Sequence, residues 1–366
     1  MKVRYSYLPQ QFGDCEDLWQ ELRDFVVTGD FTLGEPLTKF EESFAKLIGT
    51  KYAIGVNSGT DAIKLSLKAL NIGPGDEVIT VANTFVATVG AICELGATPV
   101  FVDCDDTFCM NVELVEEKIT EKTKALLPVH YTGCMTDMRV INNISEKYNI
   151  PVVEDACQSI LGAIDGKNAG TWGNTGAFSL HPLKNINVWS DGGVIVTDDD
   201  ELCKKLRLLR NHGFEDRDTV VMMGCNSRLD TIQAVVGNWM LPQAQSISNK
   251  RIENAKYLDN GLREIKQITI PPRPKNFRLV FHLYIVFATN RDGLLNHCLE
   301  KGIEAKIHYP IPIYKQSALR YLGYKTGDFP VTDAHVEKII TFPCDQHLEQ
   351  KQLDYIINTV AEYYGH

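Results

Sequence analysis

The feature that most constrains this chain is a rhythm. Through its first two thirds, short apolar runs alternate with amphipathic helical patterns. "KYAIGVNS" reads as a strand. "TDAIKLSLKAL" after it reads as a helix, with Ile63, Leu67 and Leu70 on one face and Lys64 and Lys68 on another. "NIGPGDEVIT" is a Gly-Pro-Gly turn into a strand that ends near Val81, and "TFVATVGAICELG" is a helix closed by Gly96. "TPVFVD", "KALLPVHY", "IPVVEDA", "TGAFSL" and "GGVIVTD" come next as further strands, with helices such as "MTDMRVINNISEKYN" between several of them. Strands that are apolar throughout have no solvent face, so helices must cover them on both sides. The pattern predicts an α/β fold with a mostly parallel central sheet.

After about Arg228 the rhythm breaks. "LDTIQAVVGNWML" is helical, Pro242 interrupts it, and a long charged helical stretch runs on to about Glu264. "QITIPPRP" reads as irregular, "FHLYIVFAT" as a strand and "RDGLLNHCLEKG" as a helix. The expected division is a large domain over 1–244, N-terminal segment included, and a smaller C-terminal α+β domain over 245–366.

Composition narrows the partners. The net charge of −10 offers no broad basic field, which argues against nucleic acid and against an anionic membrane. No apolar run approaches the roughly 18 residues of a membrane helix, and the first residues hold no apolar signal segment. None of the ten cysteines forms a CxxC pair or shows zinc spacing, so no metal site is expected. The expectation is a cytoplasmic protein whose thiols are small core hydrophobes.

In open α/β sheets, ligands sit at the carboxyl ends of the strands, so the residues just after each apolar run matter most. "AIGVNSGT" ends in Ser58-Gly59-Thr60, directly before a helix. Gly59 permits close approach of backbone to a ligand, and the first-turn N–H groups with the Thr60 hydroxyl suit a phosphate. Ser58 or Thr60 also reads as a plain helix N-cap. "IPVVEDACQS" ends in Glu154-Asp155, a carboxylate pair at the mouth of a buried strand that needs partners. These carboxylates suit a structural ion pair, or the protonated nitrogen of a ligand. "TGAFSL" leads through a Pro-containing turn to Lys184, which is either a solvated lysine or a Schiff-base amine. A phosphate seat, a carboxylate for a ring nitrogen and such a lysine are together what pyridoxal 5'-phosphate requires of a protein.

The chain resembles the DegT/StrS-type (DegT/DnrJ/StrS) sugar aminotransferases, which have the aspartate aminotransferase (fold type I) architecture. The likeness rests on "NSGTDAI", "GPGDEVIT", "NTFVAT", "GATPVFVD", "VEDACQS", "FSLHPLKN", "DGGVIVT", "LRLLRNHG", "NSRLDTIQA" and "HYPIPIYKQ", in the family's order over nearly the whole chain. It implies that Lys184 is the catalytic lysine bonded to the cofactor, that Asp155 holds the pyridine nitrogen and that Gln158 lies near the ring hydroxyl. It implies a phosphate seat of Gly59, Thr60 and Ser179, and Phe85 stacked on the ring. Asn226 matches a residue that reaches the phosphate of the neighbouring subunit, which implies a homodimer with shared sites. His181, Arg228, His308 and Tyr309 would lie on the substrate side. "VHYTG" departs from the family's "VHLYG" around His130 and Tyr131, and "NVWSDGG" puts Trp189 and Ser190 where "GDGG" is commoner.

The implied reaction is a two-stage transamination. L-glutamate gives its amino group to the cofactor, leaving pyridoxamine 5'-phosphate, which then aminates a nucleotide-linked keto sugar. Such products serve surface polysaccharide or glycoside biosynthesis. "NSRLDTIQA" with "HYPIP" resembles members that act on 3-keto sugars; a 4-keto sugar is the alternative. Lys184 is intact, so the histidine-bearing dehydratase branch does not fit. No recognisable cysteine loop supports a desulfurase, and a cofactor-binding sensor of the same fold is the remaining class.

Overall fold

The structure, a computed structural model, describes residues 1–365. The large sheet is built from β1 (Tyr52–Val56), β2 (Glu77–Val81), β3 (Thr98–Val102), β4 (Thr123–Leu126), β5 (Val153–Asp155), β6 (Thr175–Ser179) and β7 (Gly193–Thr197). Two hydrogen-bonded groups, β3-β2-β4 and β5-β6-β7-β1, meet through parallel bridges of Leu126 with Val152 and of Val129 with Asp155. Every pairing is parallel except those of β7, which runs against both β6 and β1. The cause is in the connections. Helices carry the chain back between most strands, whereas 180–192 returns from β6 to β7 with no helix.

Local chemistry sets the helix bounds. The helix Gly59–Ala69 starts at Ser58, whose Oγ accepts from the Asp61 N–H at 3.1 Å. Val86–Glu94 ends as expected just before Gly96, which adopts φ 74°. The expected helix over "MTDMRVINNISEKYN" begins later, at Met138, because the Asp137 carboxylate caps it. Glu16–Val26 and Glu35–Ile48 pack on Thr231–Met240.

Around Pro242 the chain forms a 3₁₀ turn, Leu241–Gln243, and then the helix Ala244–Leu262, where the expected domain boundary falls. A small antiparallel sheet comes after it, ordered β8 (Ile268–Thr269), β9 (Tyr284–Ala288) and β10 (Ile339–Phe342). β8 corrects the expectation of irregular chain through "QITIPPRP": its two residues add to the edge of β9 before the prolines stop them. The helices Arg291–Glu300 and Gln350–Tyr364 complete this part. Val3 forms a bridge with Ile303, so the chain's first residues run beside the C-terminal part. One apolar cluster joins Phe40, Phe44 and Phe178 to Tyr284, Ile285 and Phe342.

Candidate active site

The carboxyl ends of β1, β5 and β6 open into a cavity of about 300 Å³. The large-sheet side supplies Ser58, Gly59, Thr60, Phe85, Thr88, Asp155, Gln158, Ser179 and Lys184, and the other wall supplies His282, Lys306, His308 and Tyr309. Of the residues singled out from sequence, Gly59, Thr60, Phe85, Asp155, Gln158, Ser179, His181, Lys184, His308 and Tyr309 thus share one space.

At its floor the helix beginning at Gly59 lies against the end of β6. A Cβ on Gly59 would stand 2.7 Å from Ser179 Cβ and 2.9 Å from Cys157 Sγ, so only glycine allows this approach. Ser58 does the capping, and the Thr60 hydroxyl is uncommitted among the described residues. Free N–H groups of the first turn, with Thr60 and Ser179 beside them, make a seat for an anion.

The two carboxylates at the end of β5 divide the roles that the sequence left open. Strand alternation turns them to opposite sides. Glu154 is fully buried and accepts from Gly170, Trp172 and Gly173 N–H groups at 2.7–2.8 Å. His130 Nδ1 accepts from the Thr136 N–H, so Nε2 carries the proton and donates to Glu154 at 2.8 Å. Glu154 is therefore structural. Asp155 faces the cavity. Its Oδ2 accepts from Thr88 Oγ at 2.7 Å and its Oδ1 from the Cys157 N–H at 3.2 Å. Thr84 and Thr88 hydroxyls lie 2.7 Å apart, and because Thr88 gives its proton to Asp155, Thr84 donates to Thr88.

Lys184 sits in a turn closed by its own N–H donating to His181 O at 2.8 Å. Tyr7 Oη donates to the Lys184 carbonyl at 2.8 Å, and the Asn185 amide donates to Val280 O, so the turn is tied on both sides. The Lys184 amine makes no ion pair or hydrogen bond among the described residues. Burial lowers its pKa from the usual lysine value, while Cys157 and Asp155 act the other way. A protein-enclosed lysine with no partner, opening only to a cavity, is an amine available for bonding.

Gln158 Oε1 accepts from the Thr132 N–H at 2.8 Å, which orients the side chain and leaves its NH₂ free as a donor. Phe85 is 49% exposed, an unusual state for a ring at a cavity wall, and lies 5.5 Å from the Tyr309 ring. Burial depresses the His308 pKa to about 4, and lowers those of His181 and His282 as well. Burial, with the Asp155 charge, pushes Tyr309 up to about 12.

Asn226 and Arg228 do not line this cavity. Asn226 is exposed and pairs with Asn211 through backbone, while the Arg228 guanidinium donates to Asn211 Oδ1 at 3.0 Å. Sequence reasoning passed over Thr88, Tyr5, Tyr7, His282 and Lys306. Thr88 closes the "NTFVAT" stretch, but nothing in its spacing shows that it reaches Asp155, and the others reach the site only by tertiary folding. His282 Nδ1 is buried with no partner, a polar atom left over in the cavity wall.

Residues 14–361 match the DegT/DnrJ/EryC1/StrS aminotransferase family, and the chain belongs to it. It is 37% identical over the full length of both chains to the "pleiotropic regulatory protein" of Geobacillus stearothermophilus. It is 36% identical to the dTDP-3-amino-3,4,6-trideoxy-alpha-D-glucose transaminase of Streptomyces venezuelae, over 96% of this chain and 95% of that one. The same identity holds to the UDP-N-acetyl-3-dehydro-alpha-D-glucosamine 3-aminotransferase of Acidithiobacillus ferrooxidans, over 93% and 94%. The crystal structure of S. venezuelae DesV with a ketimine intermediate superposes with a TM-score of 0.97 at 34% identity, over 100% and 99% of the two chains. That of Bacillus subtilis NtdA with bound pyridoxamine phosphate gives 0.92 at 30%, over 100% and 86%.

The fold is thus the type I aminotransferase fold, and the enzyme a pyridoxal-phosphate-dependent sugar aminotransferase. The cavity suits that cofactor on its own chemistry. It offers an anion seat, a carboxylate fixed by two donors, an exposed aromatic face and an unpartnered lysine. Among the described residues no cluster suits a metal ion, and no helix is long and apolar enough to cross a membrane.

Proposed function

We propose that the protein moves the amino group of L-glutamate to the 3-keto carbon of a nucleotide-linked hexose, giving a 3-amino sugar. The observation that carries this reading is the convergence of Lys184, Asp155 and the Gly59 seat on one cavity. The names of the S. venezuelae and A. ferrooxidans relatives, both of which place the nitrogen at C3, support the position.

When bound, pyridoxal phosphate supplies an aldehyde that carries the amino group and a protonated ring that accepts an electron pair. The chain does the rest. The Gly59–Thr60 turn and Ser179 would hold the phosphate. Asp155, oriented by Thr88 and the Cys157 N–H, would keep the ring nitrogen protonated. Phe85 would lie against the ring, and the Gln158 amide would donate at the ring hydroxyl. Lys184 would hold the aldehyde at rest. Once displaced, its amine would take the proton from the donor's amino-bearing carbon and deliver it across the nitrogen to the former aldehyde carbon, and burial, by lowering its pKa, favours the free-base form that this needs. His181, His308 and Tyr309 face the sugar as uncharged hydrogen-bonding groups.

A second copy of the chain completes the site in this reading. Asn226 and Arg228 do not line their own cavity, and Val220, Val221 and Met223 beside them are exposed apolar residues that a partner would cover. Ten unpaired cysteines fit a reducing cytoplasm.

The test is optical. Purified protein loaded with pyridoxal phosphate should show visible absorbance that L-glutamate shifts to the near ultraviolet, and Lys184→Ala should lose the response. A panel of 3-keto and 4-keto nucleotide sugars should then restore the visible band. Restoration by a 4-keto sugar alone refutes the position, and restoration by no keto sugar refutes the acceptor class.

A further inference from the structure

We infer that Lys306 is a substrate-binding residue, whose ammonium pairs with an oxyanion, carboxylate or phosphate, carried by a substrate of the transamination. This rests on the function proposed above and adds a recognition element to it.

The cavity wall holds few charges. They are Lys184, Lys306, Asp155 and Asp191. Lys184 is the reacting amine, and Asp155 is committed to Thr88 and the Cys157 N–H. The three histidines of the wall, His181, His282 and His308, all have pKa values lowered by burial, so they carry no charge near neutral pH. Lys306 is then the one standing cation among the described lining residues apart from the lysine consumed in the chemistry.

Its geometry is fixed and its charge is unanswered. The Lys306 N–H donates to Thr341 O at 3.0 Å and its carbonyl accepts from the Thr341 N–H at 2.8 Å, which pins the backbone to β10. The ammonium stands 4.4 Å from the centroid of the Tyr5 ring. Tyr5 is held in turn by its N–H donating to Glu304 Oε2 at 2.9 Å and by its ring lying 5.6 Å from that of His308. The nearest carboxylate along the chain, Glu304, is thus engaged with Tyr5, and among the described residues none lies within ion-pair distance of Lys306. The Tyr5 hydroxyl also has no partner among them. A lysine pinned over an aromatic face, without a counter-ion, at the edge of a cavity whose ligands are anions, is placed to bind one of them. The oxyanion comes from the amino donor, which has two carboxylates, or from the diphosphate of the sugar nucleotide.

Calorimetric titration of the cofactor-loaded protein separates the two sources without turnover. Glutarate, a dicarboxylate with no amine, reports the donor side; UDP and dTDP report the acceptor side. Lys306→Gln should weaken one class by about tenfold or more, the size of a charge-assisted contact. Lys306→Arg should restore most of that. The class that weakens identifies the source. Unchanged binding of all three ligands in Lys306→Gln, no rescue by arginine, or no binding of any of them by the wild type overturns the inference. The optical response of the wild type to L-glutamate, read in parallel, shows separately whether the aminotransferase reading stands. Lys306 is exposed, so its variants are expected to fold, and matched urea midpoints verify that.

Discussion

Gly59→Ala tests whether the closeness of helix and strand makes the cofactor seat. The new methyl would stand 2.7 Å from Ser179 Cβ, 2.9 Å from Cys157 Sγ and 3.2 Å from Ser179 Cα. Unstrained carbon contacts lie near ~3.5–4.0 Å, so the helix start must retreat from β6 by roughly 0.8 Å or more. The Cys157 side chain can give way a little. The backbone of β6, paired on both edges, cannot. Overpacking of this kind costs about 1–3 kcal/mol. Helix propensity alone predicts the opposite sign, a gain of up to about 1 kcal/mol for alanine over glycine. The direction of the change therefore decides between the two effects.

The retreat also pulls the first-turn N–H groups away from Ser179. Losing one charge-assisted hydrogen bond to the phosphate removes about 1.5–3 kcal/mol, or roughly tenfold to a hundredfold in cofactor affinity. Spectrophotometric titration of the apoprotein with pyridoxal phosphate measures that loss, and urea midpoints of apo samples measure the strain. Adding Cys157→Ala removes only the sulfur contact and should recover part of the stability. A Gly59→Ala protein with wild-type affinity and an unshifted or raised midpoint would refute the reasoning.

Thr88→Val deprives Asp155 of its 2.7 Å donor, so turnover should fall about tenfold while cofactor affinity changes little, as read from single-turnover rates and titration. Glu154→Gln turns an amide NH₂ toward two of the four donors, either His130 and the Gly170 N–H or the Trp172 and Gly173 N–H groups, and should lower stability by about 3–5 kcal/mol, whereas Asp155→Asn should abolish turnover with a much smaller change in the urea midpoint. The His308 pKa, about 4 in the fold against 6.5 when free, makes the unfolded chain the better proton acceptor. The stability it contributes is full above pH 6.5 and is lost as pH falls to about 4; His308→Gln should flatten that part of a urea-midpoint profile, and an equally steep profile would count against it.

Much of the fold was legible because its strands are buried on both faces. Each of the seven strands of the large sheet overlaps an apolar run that stands out from its neighbours. The reversed direction of β7 was less visible, because it depends on what 180–192 lacks rather than on what it contains. The same holds within the site. Asp155, Gly59 and Ser179 end a strand or start a helix and Lys184 lies in the turn after a strand, the places where an α/β sheet meets ligands, although Lys184 and the Gly59 turn also have plain readings and Ser179 is marked only by the family resemblance. What orients them carries no such mark. Thr88 looks like any threonine on a helix until folding brings it to Asp155. Tyr5 and Lys306 are far apart in the chain, and the bridge of Val3 with Ile303 and the Tyr5 N–H to Glu304 bring them together at the cavity.

Glu154 and Asp155 show how physical context finishes what a motif begins. From sequence, either carboxylate could have been the structural one. The choice is made by β5 itself: its alternation sends Glu154 into a nest of backbone donors from 170–173 and Asp155 into the cavity. A one-residue slip of β5 would exchange them, placing a glutamate, longer by one methylene, where the proposed function has Asp155 hold the ring nitrogen, and disturbing the Thr88 contact. The parallel pairing of Asp155 with Ala177 in β6 and its bridge to Val129 prevent that slip. In the proposed function the register of three short parallel segments is thus part of the catalytic apparatus. Changes at Val129 or Ala177 that disturb pairing should therefore lower turnover before they lower secondary structure, which stopped-flow rates and circular dichroism on the same samples would show.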